Sequence, residues 1–282
     1  MKRSVLLLSL VVLYILLVIP LASYMKQKPF AEKIGYVPRP EVMRLLSADQ
    51  KQSTAAALVL RTLLYFGGLV EQASNQIFIP PDMSGMQATI GASVVLDPYN
   101  MDAYYFAQAV TVWDPRGVHA TNELLKHGMR YRDWDWYLPS FAGFNYAYFL
   151  KDYTQAAIYY KRMAEITGTD LPMRLTGRYL YEAGRTDLAI AYISAMAKSA
   201  KNEGIRTSLK IRLQAFQAVK EIETARDAYL RSNRKLPVSM EQLMQKGLLK
   251  KRPVDPYGGT FYIDPVGQVR STSKFAFIGK KE

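Results

Sequence analysis

The pattern of apolar and polar positions begins with one long apolar stretch. No charged residue occurs from Ser4 to Met25, and as a helix these 22 residues would extend about 33 Å, close to the hydrocarbon thickness of a bilayer. The nearest match to a signal-peptide cleavage site is Leu21-Ala22-Ser23, with leucine where a small residue is needed. The stretch predicts an uncleaved signal anchor over residues 1–28, with a cleaved signal peptide as the alternative.

Beyond a proline-rich neck, Tyr36–Pro40, apolar residues recur at helical spacing. Residues 41–66 contain neither proline nor glycine and predict one continuous helix. Pairs such as Asp97-Pro98 and Asp114-Pro115 then separate shorter helices, and strand-like alternation is largely absent before residue 254. No second apolar run of about 18 residues stands out, so the pattern predicts a single membrane span.

Small residues in the middle of the chain recur with a period near 34 residues. One stretch fills positions 8, 11, 15, 20, 24 and 27 of a 34-residue helix-turn-helix unit with Gly177, Leu180, Gly184, Ala189, Ile193 and Met196. The preceding stretch keeps Ala156, Tyr160 and Met163 at positions 20, 24 and 27. The small-residue anchors Ala120, Ala156 and Ala189 are 36 and 33 residues apart.

This spacing resembles tetratricopeptide repeats (TPR) over residues 98–200, extending to 231, although the tryptophan usual near position 4 is absent. The chain also resembles a group of membrane-anchored TPR proteins of anaerobic, metal-reducing bacteria. The similar stretches are Gly35–Pro38, Leu96–Pro98, Leu138–Ala157 and Asp255–Gly259. The resemblance implies an all-α, TPR-like helical solenoid over residues 98–231, after a neck and first helices at residues 29–97.

The resemblance also implies a peptide-binding groove lined by the first helix of each repeat. The implied groove residues are Asn145, Tyr148, Arg174, Arg178 and Tyr181. Asparagine and arginine would hold a free carboxylate or an acidic peptide, and the tyrosines would pack against it, since arginine can donate two parallel hydrogen bonds to a carboxylate. The alternative is an ordinary solvated basic helix face.

Composition narrows the choice of partners and chemistry. The net charge is +13, and residues 201–282 carry +9 of it, so the C-terminal third favours anionic lipid, acidic protein or nucleic acid. The chain has no cysteine, which excludes disulfides, thiolate metal sites and a cysteine nucleophile. His119 and His127 have no acidic partner at ligand spacing, and no catalytic motif occurs. We therefore expect a non-enzymatic protein without metal or cofactor.

Charges around the apolar stretch bear on its orientation. Lys2 and Arg3 favour a cytoplasmic N-terminus, whereas Lys26, Lys28 and Lys33 on the other side oppose it. A short basic start directly before a long apolar run is the usual export signal. We therefore expect a single-pass protein of the bacterial inner membrane with a periplasmic body, bound to the membrane through residues 4–25. A periplasmic body would not meet nucleic acid.

Residues 232–282 predict a small basic α+β module. Ser239 followed by Gln242 is a capping-box pattern before a short helix. The turn Asp255–Gly259 precedes an alternating strand, Thr260–Asp264, and Gln268–Ser271 can return beside it as a β-hairpin. The glycines of the turn lack the lysine and following helix of a phosphate-binding loop.

The same module resembles the globular tails of type II secretion pseudopilins. The shared pattern is LP-x-S-x-E-x-L-x-x-x-G-x-L followed by a basic stretch and P-x-DP-x-GG-x-x-Y, over Leu236–Tyr262. The prepilin cleavage site and the calcium loop of that family are absent, so calcium is not implied. We expect a non-enzymatic scaffold or adaptor that binds protein or peptide partners in envelope assembly, with secretion or pilus-like machinery as the candidate partner. The alternative is an accessory subunit of an envelope enzyme or transporter.

Overall fold

The computed structural model describes residues 10, 12–21, 23 and 32–275, and this part of the chain is mostly helical, as the sequence predicts. It divides into two compact units, Met1–Ala107 and Gln108–Glu282. The division lies beyond the boundary predicted at residue 97. No division separates the module predicted at residues 232–282 from the preceding helices, because the two share a hydrophobic core.

The first unit contains four helices and the start of a fifth among the described residues. They are α1 (Val12–Leu21), α2 (Pro40–Leu46), α3 (Lys51–Ser74), α4 (Met83–Leu96) and α5 (Met101–Ala109). The anchor predicted over residues 4–25 lies partly outside the described residues, and α1 is the helical part that they include.

The continuous helix predicted over residues 41–66 is wrong, because the chain breaks between α2 and α3. The Ser47 hydroxyl donates to the carbonyl of Met43 at 2.6 Å, and Ala48 adopts a left-handed φ of 41° that ends the helix. The chain turns through Gln50 before α3 begins at Lys51. In the other direction α3 continues past Gly67 and Gly68 to Ser74, eight residues beyond the predicted end.

Small residues let α3 and α4 pack closely. Ala55 and Leu58 of α3 form a buried cluster with Ala92 and Leu96 of α4. The Ser93 hydroxyl, fully buried, donates to the carbonyl of Ala55 at 2.9 Å, so the contact leaves this hydroxyl satisfied. The helix pair therefore forms part of the hydrophobic core of the first unit.

Helix α3 is the one described helix that is long and apolar enough to cross a membrane. It lies in the body of the protein and not at the N-terminus, and Arg61 interrupts its apolar sequence. The single-span prediction missed it because that prediction required an uninterrupted apolar run. Only 28% of its most apolar 18-residue window is buried, so α3 is not an ordinary core helix.

The second unit is a series of helices followed by a short sheet. A 3-10 turn (Thr111–Trp113) precedes α6 (Gly117–Met129), α7 (Tyr137–Tyr148), α8 (Tyr153–Thr167), α9 (Asp170–Glu182), α10 (Thr186–Ser199), α11 (Glu203–Asn233), α12 (Met240–Gln245), β1 (Phe261–Ile263) and β2 (Val269–Ser271). From α6 to α11 each helix packs on the next, and α9 also contacts α11. The carboxylate of Asp152 caps α8 through the Gln155 amide at 3.0 Å, and Gly168 ends that helix at a φ of 62°.

Two successive helix pairs repeat one packing contact. Gly143 of α7 faces the ring of Tyr160 in α8, where an added Cβ would lie 3.0 Å from ring carbons. Gly177 of α9 faces Ile193 of α10, where an added Cβ would lie 2.7 Å from two side-chain carbons. The two glycines are 34 residues apart in the sequence. The close approach explains why both positions are glycine.

The earliest predicted anchor is displaced by one residue. Ala120 is only half-buried, whereas its neighbour Thr121 is fully buried and shares a 3.1 Å hydrogen bond with the hydroxyl of Thr111. Likewise Leu125, and not Leu124, is fully buried. The register of α6 therefore differs from that of the two later helix pairs.

The C-terminal segment closes over α9, α10 and α11. Tyr257, Phe261, Val269 and Phe275 join the buried cluster formed by these helices. Strands β1 and β2 pair antiparallel, with residue 261 opposite 271 and residue 263 opposite 269. Phe261 and Val269 are buried at opposite ends of this pairing. The strands are too short to be stable alone, so their position depends on packing against the helices.

The turn Asp255–Gly259 is fastened by the carboxylate of Asp255. That carboxylate accepts from the Tyr257 amide at 2.8 Å and from the hydroxyls of Ser271 and Ser273. The predicted capping box at Ser239 is only partly formed. The side chain of Gln242 accepts from the Val238 amide at 2.9 Å, and Ser239 makes no side-chain capping bond.

Candidate peptide-binding cavities

Two cavities in the second unit share one wall. The α7 cavity, of about 220 Å³, lies between α7 and α9 and is lined by the rings of Phe144, Tyr148, Tyr153 and Tyr179. The strand cavity, of about 230 Å³, lies between α9 and the strand pair and is lined by Tyr181, Tyr262 and Phe275. Arg178 and Glu182, one turn apart on α9, line both cavities. Each cavity has the size of one or two side chains.

Positive charge exceeds negative charge around the two cavities. Lys151, Arg178, Arg270 and Lys274 line them, against the single carboxylate of Glu182. That carboxylate is bound by Arg270, which also lies 3.4 Å from Asp264. Burial acts to lower the pKa of Arg270, but the hydrogen bond and charge of Glu182 outweigh it and raise this pKa. Glu182 therefore compensates the charge of Arg270. Lys151, Arg178 and Lys274 form no ion pair with Glu182.

Arg178 is a half-buried cation with a buried donor atom that has no partner. Among residues 32–275 it has no hydrogen-bond or ion-pair partner, and its Nε is buried without a partner. The preceding arginine on the same helix face, Arg174, pairs instead with Asp170 at 2.7 Å. A partly buried guanidinium without an acceptor is a costly group that an anionic ligand would stabilise.

The structure brings two of the predicted groove residues to the α7 cavity. Tyr148 is 52% exposed on its wall, and Arg178 lies opposite on α9. The Tyr148 ring stacks on Phe144 with 5.2 Å between centroids, and the ammonium of Lys151 lies 5.2 Å from its centre. These contacts hold an aromatic surface beside the cationic one.

Asn145 occupies the interior instead of the groove. It is fully buried, and its amide exchanges two hydrogen bonds with Gln108, at 2.8 and 2.9 Å. It also donates to the carbonyl oxygen of Asn122 at 2.8 Å. These hydrogen bonds hold the Asn145 amide in the interior, so Asn145 presents no surface to a ligand.

Tyr181 and Arg174 are also engaged within the fold. Tyr181 is only 3% exposed, and its hydroxyl donates to the carbonyl of Val269 in β2. It therefore forms the floor of the strand cavity, and burial raises its pKa. Arg174 lines neither cavity and is held by Asp170.

The C-terminal segment packs against α9 and α11 and is hydrogen-bonded to both helices. Gln268 donates to the carbonyl of Glu182 at 3.3 Å. Arg226 donates to the carbonyl of Gly267, and Arg212 to that of Phe275, each at 2.6 Å. These bonds fix the segment's backbone, as a bound peptide would be fixed. The sequence alone gives no signal for this internal contact.

Arg212 is a buried cation held mainly by aromatic rings. Its guanidinium carbon lies 4.9 Å from the ring centre of Tyr257, 5.7 Å from Phe275 and 5.9 Å from Phe216. Burial lowers its pKa, and repulsion from Arg174 and Arg178 adds to that effect. Sequence reasoning missed Arg212 because it lies in a long basic helix whose other charged residues are all exposed or half-buried.

The cavity walls formed by the α7–α8 turn were also missed by sequence reasoning. Lys151 adopts a left-handed φ of 54° in that turn, which places it and Tyr153 beside the α7 cavity.

No family model, curated protein or solved structure matches the chain. We therefore infer function from the residues and their geometry.

Proposed function

We propose that the chain is a non-enzymatic, membrane-anchored scaffold that holds an acidic peptide segment or a free C-terminal carboxylate of a protein partner at Arg178. The observation that carries this proposal is the unsatisfied guanidinium of Arg178 at the wall shared by two cavities. A carboxylate placed there would accept from Arg178, while Lys151 and Lys274 attract further acidic groups from either side.

The aromatic rings of the α7 cavity give the ligand a second kind of contact. An apolar or aromatic side chain next to the carboxylate would pack on Tyr148 and Phe144. Hydrogen bonds to a charged group contribute about 1.5–3 kcal/mol, which corresponds to roughly 10–100-fold in affinity. Arg178 would thus select a ligand with a carboxylate. The aromatic rings would select an apolar or aromatic side chain next to that carboxylate.

We also propose that α7–α10 are two TPR-like helix-turn-helix units. The repeated glycine contacts, Gly143 with Tyr160 and Gly177 with Ile193, support the proposal, as does their 34-residue separation. Such repeats stack helices and leave one helix of each pair facing a groove. The likeness of the tail to pseudopilin tails makes secretion or filament machinery the proposed source of the partner.

The proposed setting is the periplasmic side of a bacterial inner membrane. The uncharged stretch from Ser4 to Met25 supports an N-terminal anchor, and Lys2 and Arg3 before it support a cytoplasmic N-terminus. The scaffold would then present its cavities to envelope proteins assembled near the membrane.

A peptide array tests the ligand class. Acidic and neutral peptides, each with a free or an amidated C-terminus, are probed with the full-length protein in detergent. Retention of acidic or free-carboxylate peptides is expected, with loss of about 10-fold or more for Arg178→Ala. Lys210→Ala is the matched control, because Lys210 is an exposed cation on α11 that lines neither cavity. Equal retention by both variants would contradict the proposal.

A further inference from the structure

The outward face of α3 in the first unit is apolar. Leu60 is 56% exposed, Leu63 46%, Leu64 68% and Val70 51%. They lie on one side of the helix at helical spacing, opposite the buried side formed by residues such as Leu58 and Thr62. A single exposed leucine is ordinary, but four large aliphatic side chains on one helix face form a patch that needs a partner.

No charged side chain breaks this face. Between Lys51 and Glu71 the one charged residue is Arg61, and its guanidinium is hydrogen-bonded within the first unit. It donates to the backbone carbonyls of Ile34 and Tyr36. From Leu60 to Val70 the apolar face therefore continues for about 15 Å along the helix.

The chain itself places this face close to a membrane. Six residues, 26–31, separate the end of the apolar N-terminal stretch at Met25 from the first described residue of the folded body, Glu32. Fully extended, they span at most about 22 Å. We propose that the outward face of α3 lies on the surface of the bilayer, with its leucines among the acyl chains at the headgroup boundary. This inference rests on the N-terminal anchor of the proposed function.

The contacts around α3 indicate that it lies on the bilayer and does not cross it. The segment Glu32–Arg39 has no regular secondary structure and is fastened along α3 by Arg61 and by the hydroxyl of Tyr65, which donates to the carbonyl of Glu32. Lys33 in that segment lies 3.5 Å from Asp82. Irregular backbone and these charges would have to enter the hydrocarbon if α3 crossed it, and lipid-exposed irregular backbone does not occur there.

Spin labelling tests the contact cleanly, because the natural chain has no cysteine. A nitroxide is attached to full-length Leu64→Cys, reconstituted in vesicles of phosphatidylethanolamine and phosphatidylglycerol. Leu188→Cys is the matched control, since Leu188 is 50% exposed on a helix of the second unit. Circular dichroism confirms that both labelled proteins keep the helical content of the unmodified chain. We expect the label at position 64 to be accessible to oxygen and shielded from a water-soluble nickel complex, with the reverse at position 188.

The outcomes separate this inference from the anchor. Flotation of the vesicles with the protein, together with a label at position 64 as open to nickel as the control, would overturn the membrane contact and leave the anchor intact. Failure to float would overturn both. A label shielded from nickel and from oxygen alike, with spin–spin broadening between copies, would show that a second copy covers the face and would also overturn the proposal.

Discussion

The helix pairs α7/α8 and α9/α10 share one packing contact and differ at the surface above it. The groove prediction equates Asn145 of α7 with Arg178 of α9, yet Asn145 is fully buried and Arg178 is half-buried on the cavity walls. Three residues later the order reverses, with Tyr148 52% exposed and Tyr181 3% exposed. The residues of each pair are 33 apart, whereas the two packing glycines are 34 apart, so the pairs differ by one residue in helix register as well as in the covering segment.

Different segments cover the buried member of each pair. Gln108 and Asn122, from earlier helices of the unit, bury Asn145, while β2 covers Tyr181 through Val269. A one-residue difference in register changes the side of the helix that a residue occupies, and the neighbouring chain decides whether that side is free. The open surface remains on α7, next to Arg178.

The largest effect in this comparison is expected from Asn145→Ala. Loss of the Asn145 amide leaves the half-buried amide of Gln108 and the buried amide oxygen of Asn122 without their partner, which costs about 3 kcal/mol of unfolding free energy. The matching change in the second pair, Arg178→Ala, is expected to alter stability by less than about 1 kcal/mol. Urea denaturation measures both. Similar destabilisation by the two variants would remove the distinction between a structural Asn145 and a ligand-binding Arg178.

Gly177→Ala is expected to destabilise the protein by about 1–3 kcal/mol, because the new Cβ would lie 2.7 Å from Ile193 carbons. Gly143→Ala should cost less, since its 3.0 Å contact needs a smaller shift and alanine favours the helix by about 1 kcal/mol. Gly91→Ala in α4 is the control, because its Cβ would meet nothing within 4 Å. Thermal unfolding ranks the three, and a Gly177→Ala as stable as Gly91→Ala would refute the close helix contact.

Tyr181→Phe is expected to cost about 1 kcal/mol, since the Val269 carbonyl loses its donor. Tyr148→Phe, on the exposed side of the comparison, should stay within about 0.5 kcal/mol of the wild type. Hydrogen exchange of the amides of β2 gives a local readout. Faster exchange is expected for Tyr181→Phe alone, and equal exchange in both variants would contradict the covering role of β2.

Alkaline pH gives the smallest and most specific test of the same contact. Burial raises the pKa of Tyr181, so the folded state favours the neutral phenol. Its stabilising contribution is complete below the unfolded-state value near 10 and declines as pH rises above it. Tyr181→Phe should therefore lose stability above pH 10 less steeply than the wild type, by up to about 1.4 kcal/mol per pH unit. Identical slopes in pH-dependent urea denaturation would contradict this.

Helical periodicity predicted much of the architecture, because helices depend on local spacing. In the described residues strands begin only at Phe261, in agreement with the lack of strand-like alternation before residue 254, and Gly177 and Ile193 meet as the repeat spacing requires. The break after Ser47 was missed, since no proline or glycine marks it. It depends on a serine side-chain bond and a left-handed alanine, which residue pattern does not reveal.

The sequence predicted less of the candidate site than of the fold. Arg178 and Tyr148 were identified through the repeat register, and the structure places both at the α7 cavity. Asn145 and Tyr181 were assigned to the same groove, but contacts with residues 37 and 88 positions away bury them. Such long-range contacts carry no local signal. Glu182 lies one turn after Arg178, a spacing typical of an ion pair between the two. In the structure the Glu182 carboxylate pairs with Arg270 instead.

The central claim is that the open surface beside α7 binds an acidic ligand through Arg178. The most direct measurement places a photo-crosslinking phenylalanine analogue at Tyr148 in the full-length protein and adds the strongest peptide from the array. We predict a crosslinked product from position 148. Excess unlabelled peptide should remove this product, and Arg178→Ala should abolish it. The same analogue at Leu230, which is 39% exposed and lines neither cavity, should give no product. Crosslinking from position 148 that persists in Arg178→Ala, or that is equal at both positions, would contradict it.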